Sequence, residues 1–595
     1  MSALRSRAIL PLWVGSSFKL LQDLSRWEPY VGSMRAVEDF PQYRIETPSY
    51  EAVAEDYRGI ERALEASSSD DGTLDAVRAW DATRRRLESW NALTNLRFEQ
   101  DTRDEGFKAA KTARDELVPR LTALDVRVKT RLLSSRERPD LERAIGAHAF
   151  ALWGADVESF SPAIEADLTQ ESMIAKEYTE LIASAQLEFD GRRLNLAGIA
   201  PYFQDPDRGV RHDAQAVRWA FFTQHKEELD DIYARLVRLR DEMARKLGYA
   251  TFTPLGYKRM SRVDYGEAEV TRFRDEVVRD VVPLAGEILA RRARRLHLDR
   301  LLFWDELLTD PRGNPKPLGD HDWIVEQADV AFNAMHEELG SFFQMMRSSE
   351  LLDLKNRDGK AAGGFCTSFP TLGVPFIFAN FNGTSGDVDV LVHESGHAFQ
   401  NWRSRELPLI DYLWPTMESS EIDSIAMEYL ALPQAYRFFG PDADRFRVGH
   451  LEDAFIRLPY MTAVDHFQHL VFGAPNATPS ERNAMWQAME ARYLPWRAYA
   501  DLEHPGQGGA WQSQLHIYQL PFYYIDYALA TSCALQFWAK SLSDYAGAFA
   551  DYVNLCGRGG SAPFGELVRS ANLRSPFERG VLSDAAKQAR SFIGL

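Results

Sequence analysis

The sequence predicts a mainly α-helical fold with one small β-sheet, and three observations carry that expectation. Residues from about 45 to 190 are rich in Ala, Leu, Glu and Arg at helical spacing, and Ser67-Ser68-Ser69-Asp70-Asp71-Gly72 marks the clearest break in them. Leu229, Ile232, Leu236, Leu239, Met243 and Leu247 then repeat at helical intervals up to Gly248, which reads as a long amphipathic helix with a glycine stop. Only a few short runs are β-prone. The clearest is Phe376-Ile377-Phe378-Ala379-Asn380-Phe381, followed by the Gly-rich loop Asn382 to Asp387.

Each element after that loop carries chemistry. Asp387 is a plausible N-cap, and Val388, Leu391, Val392 and Phe399 supply the packing face of a helix. That helix contains His393-Glu394-Ser395-Gly396-His397. Residues i and i+4 share a helix face, so both imidazoles reach one Zn²⁺, while Glu394 lies round the helix where it can take a proton from water. Gly396 inside a helix costs about 1 kcal/mol relative to Ala, which a close approach by another backbone or a ligand would explain.

A catalytic zinc site needs a third ligand and an open position. Ile422, Ile425, Ala426, Tyr429 and Leu430 predict a second amphipathic helix that begins near Glu421. Glu421 is the candidate third ligand. Glu428, two turns on, is placed to orient a ligand histidine from behind, or else is a solvated acid. The run Pro375 to Asn382 is either a buried strand or an exposed sheet edge able to pair with an extended peptide.

The remaining elements bound the alternatives. Asp310 to Pro317 and His504 to Gly509 read as loops, the second mobile enough to help admit a ligand. Arg291, Arg292, Arg294 and Arg295 read as one face of an exposed helix, and His466 with His469 as packing or surface histidines. The net charge of −18 over 595 residues argues against nucleic acid, and no apolar stretch is long enough to span a bilayer. Three dispersed cysteines form neither a disulfide framework nor a thiolate metal site, which suits a reducing cytoplasm. The expected division is an N-terminal extension over 1–40, a helical domain over 41–200 and a catalytic domain over 201–595.

The stretch Gly364-Phe365-Cys366-Thr367-Ser368, through Asn380-Phe381-Asn382-Gly383-Thr384 and His393-Glu394-Ser395-Gly396-His397 to Glu421-Ile422-Asp423-Ser424, resembles the thimet oligopeptidase and oligoendopeptidase F family of zinc metallopeptidases. The likeness is closer to the oligoendopeptidase F branch. Asn195-Leu196-Ala197 to Pro201-Tyr202, Lys246-Leu247-Gly248-Tyr249, Gly256-Tyr257-Lys258-Arg259-Met260 and His516-Ile517-Tyr518 through Pro521 to Tyr527 extend it over about 190 to 530.

The resemblance implies a zincin-like helical peptidase whose deep channel admits short peptides and excludes folded proteins. It also implies that His516, Tyr523 and Tyr527 hold the substrate and stabilise the oxyanion, with Tyr524 a further candidate. Hydroxyl and imidazole N–H groups are apt donors for that purpose. The expected function is zinc-dependent hydrolysis of internal bonds in short peptides, with a zinc exopeptidase or a non-catalytic peptide-binding protein as alternatives. Monomer and homo-oligomer both remain open.

Overall fold

The computed structural model describes residues 39–66, 70–357, 359–361 and 363–595. The expected N-terminal extension lies almost wholly outside them, as does Ser67–Ser69. Helix dominates throughout. Near the N-terminus stand α1 (Tyr50–Ala66), α2 (Asp70–Gln100), α3 (Glu105–Leu133) and α4 (Ala147–Ser159). The helix expected from the leucine spacing spans Lys226–Lys246, buries Leu229, Ile232, Leu236, Leu239 and Met243, and ends before Gly248 in the left-handed region.

The N-terminal helices have a core of their own, which includes Tyr57, Trp80, Val128 and Trp153. Two residues from far along the chain, Leu409 and Tyr412, complete it. The segment that carries them is held by charge. Arg84 donates to both carboxylate oxygens of Asp411 at 2.9 and 2.7 Å and lies 3.7 Å over the Trp80 ring. Asp81 accepts from Arg85 at 2.6 Å and from the Ile410 amide at 2.8 Å. Tyr412 donates to the Ile145 carbonyl at 2.7 Å.

A two-stranded hairpin, β1 (Leu187–Phe189) and β2 (Arg192–Leu194), precedes the main sheet. That sheet has β3 (Leu352–Lys355), β4 (Phe365–Phe369) and β5 (Val374–Phe381) in the order β3-β5-β4, with β3 parallel and β4 antiparallel to β5. The apolar run is therefore the central strand. Both of its edges are paired, so it cannot itself pair with a peptide, and the outer strands of the sheet are β3 and β4.

Against the sheet lies α5 (Gly386–Ser404), which packs on α6 (Met417–Ala431). Next come α7 (Ala443–Gly473), α8 (Tyr524–Ser541) and α9 (Tyr545–Arg558), with α8 packed along α6. Three expectations change here. Asp387 is not the N-cap, a position taken by Ser385. It lies buried in the first turn, where it accepts from the amides of Asn382 at 2.8 Å and Gly383 at 2.7 Å and so pins the loop to the helix. Helix α6 is buried on nearly every side rather than amphipathic, because its acids have partners inside. Arg292 is buried rather than exposed, and it donates to Glu452 and Asp453 of α7 at 3.2 Å.

Residues Pro505–Gly509 form a packed helical turn instead of a loose loop. No helix among the described residues is long and apolar enough to cross a membrane.

Removing one partner of a buried ion pair leaves an uncompensated charge. Asp411→Ala is expected to cost on the order of 3 kcal/mol, read as an earlier urea-unfolding transition of the N-terminal helices. An unchanged transition would mean that the segment is held by apolar contacts alone.

Candidate active site

Helices α5 and α6 meet at Gly396. A Cβ there would lie 2.6 Å from the Asp423 carbonyl oxygen and 2.7 Å from Ser424 Cα, so the close approach expected for this glycine is that of the α6 backbone. The contact brings three side chains together. The Nε2 atoms of His393 and His397 stand 3.3 and 3.6 Å from Glu421 Oε2. One donor atom from each residue lies within 4.8 Å of the others, a grouping able to hold a metal ion.

The far side of each imidazole is also engaged. His393 donates through Nδ1 to Glu428 at 2.7 Å, and His397 Nδ1 lies 3.2 Å from Ser420 Oγ. These contacts fix the ring planes and leave both Nε2 atoms facing Glu421. Glu428 also accepts from His450 at 3.1 Å, and His450 faces Asp389 at 3.4 Å. Burial disfavours charge on His450, but these two carboxylates outweigh it and raise its pKa to about 10. Glu421 is likewise opposed by burial, yet the two imidazoles hold its carboxyl well below the usual range.

Glu394 is buried beside this group, and its Oε2 has no hydrogen-bond partner. Burial raises its pKa against the pull of His393 and His397. It lines a cavity of about 580 Å³ together with His393, His450, Arg457, His516 and Tyr527. The start of β4 reaches the same place, since a Cβ on Gly364 would lie 3.8 Å from Glu394 Oε1.

The C-terminal cluster is delivered by a strained turn. Phe522 adopts φ = +69°, unfavourable for a bulky residue. Its backbone is gripped from both sides: the amide donates to Gln468 at 3.0 Å, and the carbonyl accepts from Arg262 at 2.6 Å. Arg262 is in turn paired with buried Asp526 at 2.6 Å. The Phe522 ring lies on Gly256, where a Cβ would stand 2.6 Å away, which accounts for the glycine of Gly256-Tyr257.

The next residue, Tyr523, donates its hydroxyl to Glu421 Oε1. Helix α8 opens at Tyr524. His516 stacks among Tyr523, Tyr524 and Tyr527, with ring centroids 5.5, 4.9 and 6.0 Å away. Burial lowers its pKa to about 4 against the opposing charge of Glu421, so its ring is neutral. Its Nδ1 accepts from Gln514 at 2.8 Å, and Gln514 accepts from Tyr460 at 2.9 Å, which leaves the proton on Nε2.

The structure thus places His393, Glu394, His516, Tyr524 and Tyr527 in the wall of one cavity, joins His397, Glu421 and Tyr523 to His393 by direct contacts, and sets Glu428 behind His393. Ser420, His450, Tyr460 and Gln514 were not singled out from the sequence. Ser420 adjoins Glu421 and was open to a helix-position argument; the other three have no spacing signal.

Comparison with known proteins agrees across the chain. The peptidase M3 N-terminal domain matches residues 40–160, and peptidase family M3 matches residues 320–586. Among solved structures, the chain is similar to a candidate oligoendopeptidase F at 41% identity and a TM-score of 0.92, over 94% of this chain and 99% of that one. It is similar to PZ peptidase A, determined with an inhibitor, at 40% identity and 0.91, over 93% and 99%. A candidate oligoendopeptidase F from Bacillus anthracis str. Ames follows at 36% identity and 0.87, over 94% and 99%. No curated protein matches.

Gly396→Ala is expected to force α5 and α6 apart. Overpacking of this kind costs about 1–3 kcal/mol, seen as a lower thermal transition together with reduced metal affinity. A variant as stable as the parent and equally able to bind metal would show that the helix contact is not a constraint.

Proposed function

Because the chain belongs to peptidase family M3, we propose that this peptidase is a zinc-dependent endopeptidase that hydrolyses internal bonds of short, unstructured peptides. One observation carries the reading: two imidazole Nε2 atoms converge on Glu421 Oε2 with an unpartnered carboxylate, Glu394, alongside.

The donor set fits zinc. Two nitrogens and one carboxylate oxygen match a catalytic site with a position left open, and the Nδ1 contacts present the correct ring atoms. His393, His397 and Glu421 would hold one Zn²⁺ per chain. The ion supplies Lewis acidity, polarising the scissile carbonyl and lowering the pKa of water.

The chain's own residues do the rest. Glu394, buried and with a raised pKa, takes the proton from the attacking water and passes it to the leaving amine. His516 donates its Nε2–H and Tyr527 its hydroxyl to the oxyanion. Tyr523 contributes a second hydroxyl once substrate displaces it from Glu421. The paired edges of β5 leave β4 to align an extended peptide beside Glu394. A helical domain over 41–200, a catalytic domain over 201–595 and a cytoplasmic location, which three free cysteines suit, belong to the same proposal.

The test is digestion of a mixed pool of peptides about 5–20 residues long, a range set by a closed cavity of limited volume. Products are read by mass spectrometry with and without a chelator. Internal cuts that the chelator abolishes and that fade with peptide length support the reading; cuts at one terminus only would make this an exopeptidase. Zinc-loaded protein that cuts nothing would be a binding module.

Glu394→Gln should keep zinc and lose about 10²–10⁴-fold in kcat. Retention of a tenth of the parental rate would exclude Glu394 as the base. Glu428→Ala is expected to weaken zinc binding by about 10–100-fold, measured by chelator competition; unchanged affinity would show that His393 needs no support.

A further inference from the structure

Helix α7 turns an unusual face to the cavity. Gly449, Asp453, Ala454, Arg457, Tyr460 and Met461 line it at intervals of three and four residues. Such a repeat normally buries apolar side chains, yet here it presents charge to open volume. Of the four acids in the wall, all but Glu394 are already taken. Asp453 accepts from Arg292 at 3.2 Å, Asp389 faces His450 at 3.4 Å, and Glu428 is shared between His393 and His450.

Of the two arginines in the wall, Arg445 is bound to Asp442 at 2.7 Å and Asp310 at 3.2 Å. Arg457 is exposed in the cavity and makes no hydrogen bond or ion pair among the described residues. Asp453, Asp389 and Glu428 are near enough to favour its charge but not to pair with it. A guanidinium offers five donors in a planar fork that matches a carboxylate. This one has its donors free.

Its position along the channel is fixed by the helix. His450 touches Glu428, which holds His393. Arg457 lies seven residues further along that face, roughly 10 Å at 1.5 Å per residue. An extended peptide advances about 3.3 Å per residue, so a peptide in this cavity covers that helix rise in about three residues, and Arg457 and Glu394 line the same volume.

We propose that Arg457 forms a carboxylate-binding subsite of the channel, which takes the free C-terminal carboxylate of a short peptide, or an acidic side chain at the same distance, and so sets where the chain is cut. The proposal rests on the peptidase reading above. It also explains how internal cleavage coexists with a preference for short substrates: the end of the peptide is recognised, while the bond broken lies some residues away.

The experiment uses one octapeptide in three forms: free acid, C-terminal amide, and amide with Glu as the last residue. Wild type and Arg457→Ala are compared by kcat/KM, with products identified by mass spectrometry. A charge-assisted contact predicts that wild type prefers the acid over the amide by about 10–100-fold. The ratio should fall to within about threefold of one in Arg457→Ala, a range that leaves less than half a tenfold step, with partial recovery in Arg457→Lys. Preference restored by Glu in the amide identifies a side chain as the source; its absence identifies the C-terminus.

Equal cleavage of acid and amide by wild type overturns the subsite, and that comparison needs no variant. A loss in Arg457→Ala by the same factor on both forms also overturns it, because it marks a structural role. Failure to cut any form removes the peptidase reading and the subsite with it.

Discussion

The backbones of α5 and α6 touch at Gly396, and the chemistry of the cavity depends on that contact. Two histidines one turn apart define a direction but not a site. The site closes only when a carboxylate arrives from a second element at the right depth. A helix pair separated by side chains usually stands 8–10 Å apart; removing the Cβ at the crossing lets Glu421 reach Nε2 of both rings. Once α6 is that close, its other polar groups follow. Ser420 and Glu428 meet the backs of the two imidazoles, and Ser424 donates to Glu421 at 2.9 Å. A helix so rich in acids tolerates burial because each acid near the crossing finds a partner.

A second set of buried charges holds the opposite wall. Arg262 joins Asp526 of α8 to the carbonyl of Phe522, and that grip maintains a backbone conformation that Phe522 would not adopt alone. Strain of this kind persists only where the surroundings over-determine it. Here the amide contact to Gln468 and the ring's seat on Gly256 do so, and the result is a fixed placement of Tyr523 against Glu421. The two walls are therefore built by the same means, with a glycine that admits a close contact and buried ion pairs that lock it.

Much of this was legible in the sequence. The grouping of His393, Glu394 and His397 on one helix and of Glu421 and Glu428 on another follows from helical periodicity, which brings residues of one face together whatever the rest of the chain does. The propensity cost of Gly396 pointed to a close neighbour, backbone or ligand, and the structure supplies the α6 backbone. Other features were not local. The pattern of β5 reports that both faces are buried and says nothing of its edges, so its central place could not be read. Asp387 has the residue type of a cap, but two loop amides capture it. Arg292 looks like part of a surface charge run and is buried by α7. His450, Gln514 and Arg457 are single polar residues whose meaning comes from elements far away in sequence, and no spacing rule marks them.

The N-terminal core carries a consequence for synthesis. Tyr412 closes that core by reaching Ile145, 267 residues earlier. A ribosome adding ~5–20 residues each second leaves the first helices without Leu409 and Tyr412 for roughly 15–50 s. During that interval Trp80, Trp153 and Val128 lack their final apolar cover, and Arg84 lacks Asp411. The N-terminal helices are therefore synthesised well before the distant segment that completes their core.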